Sequence, residues 1–101
     1  MNEPNLSRAF VESLSSEARQ LWLIEISRFL TERILRAANF ELEVTNIIGE
    51  LRLLGHDIWS FDEDDEWQIW CGNWIKSENS GKLNLHFRSA DGVQATWNEH
   101  K

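Results

Sequence analysis

The hydrophobic period of this chain changes once, at Gly55, and that change limits the fold more than any other feature of the sequence. Before Gly55, apolar residues recur at helical spacing. After it they alternate with polar ones, in runs rich in Trp, Ile and Phe that are broken by turn residues. Helical periods that all precede strand periods predict an α+β arrangement, with two or three N-terminal helices packed on one face of a C-terminal antiparallel β-meander of about four strands. A length of 101 residues fits one core, so we expect a single domain over 1–101, helical from about 6 to 54 and β from about 57 to 98.

The helices can be placed individually. Leu6, Phe10 and Leu14 recur every four residues and predict a short amphipathic helix, interrupted by Ser13, Ser15 and Ser16. From about 16 to 38, Trp22, Leu23, Ile26, Phe29, Leu30, Ile34 and Ala37 form a wide apolar stripe, with Glu25, Arg28, Glu32 and Arg36 opposite. Those charges alternate in sign at pairing distance along the helix. Asn39 offers a cap, and Val44, Ile47, Ile48, Leu51 and Leu54 carry the next helix. Gly55 supplies the residue that a helix C-terminus needs for positive φ. Gly49, inside that helix, marks a candidate close crossing.

Four strands are expected at Ile58 to Phe61, Trp67 to Lys76, Leu83 to Arg88 and Val93 to Trp97. Their connections are an acidic run, a segment containing Asn79-Ser80-Gly81 and a tight turn at Asp91-Gly92. Alternation puts Trp67, Ile69 and Cys71 on one side of the long strand and Gln68, Trp70 and Trp74 on the other.

Charge narrows the partners. The net charge is −7; residues 1–55 carry 6 basic and 8 acidic side chains, residues 56–101 carry 4 and 9. Such a field repels phosphate backbones and anionic lipid and attracts basic proteins, so neither direct nucleic-acid contact nor membrane association is expected. Asp62, Glu63, Asp64, Asp65 and Glu66 concentrate this charge between two strands. They lack the ligand spacing and central glycine of a calcium loop, so no metal is expected there.

The chain has 6 tryptophans, and a Trp set on the face of the sheet away from the helices would leave an aromatic surface beside the carboxylates. Trp combines large apolar area with an N–H donor, which suits it to interface anchors. Trp70 and Trp74 are the expected anchors, and the acidic run the steering element.

Catalytic and cofactor motifs are absent from the sequence, and neither a catalytic residue nor a cofactor is expected. Cys71 and His86 on adjacent strands are the nearest approach to a nucleophile and base. One cysteine excludes an internal disulfide and fits a reducing cytoplasm, and the first ten residues have no secretory pattern. The expected function is therefore inhibition of a basic protein by occlusion, as an immunity or antitoxin-like protein neutralising a nuclease-type toxin. A phage-encoded nucleic-acid mimic that blocks a host defence complex would use the same physics. A homodimeric assembly module, joined through Trp22, Phe29 and the other tryptophans, is the alternative of a different class.

Overall fold

The computed structural model describes residues 3–63, 65–71 and 81–99. Three helices, α1 (Arg8–Ser13), α2 (Ser16–Arg36) and α3 (Phe40–Leu53), precede four strands, β1 (Ile58–Glu63), β2 (Glu66–Cys71), β3 (Gly81–Arg88) and β4 (Gly92–Glu99). The strands form one antiparallel meander in the order β1-β2-β3-β4. This is the α+β arrangement expected from the change of period.

Local chemistry sets the helix ends. Ser7, Ser15 and Asn39 are N-caps whose side-chain oxygens accept from the backbone N–H groups of Phe10, Ala18 and Leu42. At the end of α3, Gly55 takes a φ of 97°. There the His56 N–H donates to the Leu51 carbonyl and the Gly55 N–H to that of Arg52, the paired bonds of a Schellman ending. The Arg8 N–H donates to the Leu54 carbonyl at 3.0 Å, which ties the start of α1 to the end of α3.

Trp22, Ile26, Leu30 and Ile34 of α2 and Val44, Ile47, Ile48 and Leu51 of α3 are buried against Ile69, Cys71, Leu83, Leu85, Phe87, Val93 and Ala95 of the sheet. Burying one such Leu, Ile or Phe contributes roughly 1.5–3 kcal/mol, so this layer dominates the stability of the domain. The indole N–H of Trp22 donates to the Asn5 carbonyl at 3.0 Å. Because Trp22 is already in the core of one chain, it is not available to a homodimer interface.

Several expectations are corrected. β1 runs two residues further than Phe61 and takes in Asp62 and Glu63, while Glu66 begins β2. Of the acidic run, Asp62 and Glu63 therefore end β1, Asp65 lies in a turn and Glu66 opens β2. Gly49 is exposed, with open space where a side chain would stand, so it marks no helix crossing. Glu25, Arg28, Glu32 and Arg36, by contrast, form the solvated face expected opposite the apolar stripe, and no ion pair joins them among the described residues. The α2 to α3 link is Arg33 instead, whose guanidinium lies 2.7 Å from Glu43 and 2.7 Å from Glu50.

Candidate functional site

Strand register divides the sheet into two faces. The face towards the helices carries the rows Ile58-Cys71-Leu83-Trp97, Ser60-Ile69-Leu85-Ala95 and Asp62-Trp67-Phe87-Val93. The outer face carries Trp59-Trp70-Asn84-Thr96, Phe61-Gln68-His86-Gln94 and Glu63-Glu66-Arg88-Gly92. The outer rows grade from aromatic to charged towards the β1–β2 tip.

The helix layer covers β3 and β4 and reaches β2, but it stops short of most of β1. Ser60 and Asp62, although in the inner rows, are exposed. Trp59 and Phe61, on the outer face, expose 60% and 63% of their surface, far more than core aromatics do. β1 therefore projects with both faces in solvent beyond Ile58.

The residues expected to bind a partner are only partly brought together. Glu63, Glu66 and Trp70 share the outer face, but strand alternation sends Asp62 to the opposite one. Asp65 is exposed in the turn. Glu66 is not an isolated charge: His86 Nε2 lies 3.2 Å from its carboxylate and Arg88 Nε 3.4 Å. Trp70 is half-buried beside Trp59, its register partner. Asp64 and Trp74 lie outside the described residues. The sequence reasoning missed Trp59 and Phe61, although their alternation with Ser60 and their place next to Glu63 were visible.

Lys82, also on the outer side, is buried and holds its ammonium 4.9 Å from the centre of the Trp59 ring. Burial lowers its pKa from the ordinary lysine value. The contact is a cation–π interaction that fixes the indole plane and leaves the rest of the ring open.

Among the described residues of the sheet, Cys71 and His86 do not assemble as a nucleophile and base. Cys71 points to the helices and His86 to the outer face, so the pair considered from sequence does not form. Burial pushes the Cys71 thiol up to about 12, which keeps it protonated. His56 is buried, its Nε2 hydrogen-bonded to the Leu6 carbonyl, and burial lowers its pKa. Among the described residues no group of three His, Cys, Asp or Glu side chains converges as metal ligands.

Among the described residues, one cavity lies on the outer face at the β3–β4 turn and another between α2 and β4. The first, of about 170 Å³, is lined by His86, Arg88, Asp91, Gly92, Val93 and Gln94. The other, of about 230 Å³, is lined by Ser16, Arg19, Gln20, Leu23 and Trp97. In the second, the guanidinium of buried Arg19 stacks 4.2 Å from the centre of the Trp97 ring and donates through Nη2 to the Leu14 carbonyl at 3.3 Å. Arg19 thereby clamps the end of α1 to β4.

The outer face presents exposed aromatic area beside carboxylates on a projecting hairpin. No family model, no curated protein and no solved structure matches this chain.

Proposed function

We propose that this chain is a binding protein that inhibits a basic protein partner by occlusion, in the manner of an immunity protein or antitoxin directed at a nuclease-type toxin. The observation that carries this reading is the exposure of Trp59 and Phe61 on the outer face of β1, next to Glu63 and Asp65. Exposed aromatic area gives contact energy and a local excess of carboxylates gives steering, the two ingredients of an interface with a cationic surface. Trp70 extends the aromatic area inward, and Asp62 presents charge on the other side of the same strand.

The test is affinity capture from a lysate of the source cells, comparing wild type with Trp59→Ala/Phe61→Ala and with Asp62→Asn/Glu63→Gln/Asp65→Asn, followed by an assay of the captured protein's own activity. The expected result is a basic protein held by wild type, weakened by salt, lost with either set of changes and inhibited at equimolar ratio. A captured partner indifferent to both sets, or still active in the complex, would overturn the reading.

A second reading rests on α2. Leu21, Ile24 and Leu35 lie on its solvent side and are 71%, 53% and 58% exposed. That stripe favours a self-association module, and sedimentation of wild type against Leu21→Glu/Leu35→Glu separates the two.

A further inference from the structure

The two edges of the sheet are not equivalent. At β4, α2 supplies the missing partners: the Val93 N–H donates to Thr31 Oγ1 at 2.9 Å, the Thr31 hydroxyl donates to the Val93 carbonyl at 3.1 Å, and the Ala95 N–H donates to Ser27 Oγ at 3.0 Å. The fit is close, since a Cβ on Gly92 would stand 2.3 Å from Thr31 Cγ2. From Val93 to Ala95, that edge is capped by α2.

At β1, no described residue hydrogen-bonds to the side away from β2. Alternate residues of an edge strand direct their N–H and C=O groups outward, where they serve as a template for another strand. Natural edge strands are usually short of apolar surface or guarded by Lys or Pro. β1 has neither Lys nor Pro, its own charges Asp62 and Glu63 are both acidic and sit at its tip end, and it exposes Trp59 and Phe61.

Charge decides the occupant. Pairing β1 with β1 of a second copy would bring Asp57, Asp62 and Glu63 of each chain towards one another, and like charges facing across a strand pair are destabilising. The same carboxylates attract lysine and arginine. We propose that β1 is a strand-addition site, at which an extended segment of the basic partner joins the sheet as a fifth strand. This proposal rests on the basic-partner reading above and adds to it the mode of recognition. Main-chain hydrogen bonds to β1 supply affinity, and the alternating faces supply specificity. Side chains of the added strand on the outer face lie beside Trp59 and Phe61 and are apolar. Those on the helix side lie beside Ser60 and Asp62 and are basic.

The probe is a blocked hexapeptide of alternating valine and lysine, tested against the full chain beside the same peptide with every backbone nitrogen methylated. Both carry the same charge and side chains, but the second has no main-chain N–H to donate. The expected result is protection of the β1 amides, over residues 58–63, from hydrogen exchange by the first peptide. Affinity should fall roughly tenfold or more for the methylated one, in line with the loss of several net hydrogen bonds. The Trp59→Ala/Phe61→Ala chain should bind the first peptide more weakly. Equal binding of both peptides without β1 protection would overturn strand addition while leaving a basic partner standing. Failure of both to bind at millimolar concentration would overturn strand addition, and the capture experiment above then decides the basic-partner reading separately. A wild-type dimer in sedimentation with residues 58–63 protected would assign the edge to a second copy and overturn the proposal.

Discussion

His56 and Cys71 show how burial fixes chemistry residue by residue. His56 sits under α1 with Nε2 donating to the Leu6 carbonyl, and removal from water disfavours its charged form. Its pKa in the folded chain lies below the 6.5 of an unperturbed histidine, so below that pH the unfolded chain takes up the proton more readily. The stabilisation from neutral His56 is therefore complete above about pH 6.5 and is lost as pH falls below it. We expect His56→Gln, which keeps a donor for Leu6, to flatten the fall in melting temperature between about pH 7.5 and about pH 5.5. Thermal scans across that range check this. Cys71, held protonated in the core, is expected to resist iodoacetamide at about pH 8 in the native chain and to react within minutes once unfolded in urea. Mass spectrometry of alkylated protein is the readout, and fast native labelling would contradict the burial.

At the scale of elements, the join between α2 and β4 is specific rather than merely apolar. Ser27→Ala leaves the Ala95 N–H without its acceptor and is expected to cost about 1–2 kcal/mol in urea unfolding. Gly92→Ala is expected to cost more, roughly 2 kcal/mol or above, because φ is 94° and the new methyl would meet Thr31. A cost below that of Ser27→Ala would show that the strand can withdraw from the helix. Much of this scale was legible in the sequence: the Asn39 cap, the Gly55 stop and the Trp67-Ile69-Cys71 alternation each follow from local geometry. Periodicity assigns Ile69 and Trp70 to opposite faces, but how far a helix layer extends across a sheet depends on tertiary placement. That is why the exposure of Trp59 and Phe61 could not be read in advance. Asp62 was misplaced for a simpler reason. A strand end set at Phe61 leaves its carboxylate in a turn, whereas two more residues of β1 commit it to a face.

For the molecule as a whole, the projecting hairpin separates recognition from stability. Trp59 and Phe61 make little of the core, so Trp59→Thr/Phe61→Thr is expected to change unfolding free energy by less than about 0.5 kcal/mol each while removing partner binding. Denaturation and capture measured on the same variants check this, and a large loss of stability would mean that β1 is structural. The acidic field acts at longer range, so association with a basic partner is expected to slow as salt rises while dissociation changes little. The capped stretch of the β4 edge has a consequence of its own. Sheet growth into fibrils needs each subunit to receive a strand on one side and offer one on the other. With Thr31 and Ser27 already bonded to Val93 and Ala95, the β4 edge cannot take a strand along its whole length, so the two edges of this sheet cannot repeat the same pairing end to end.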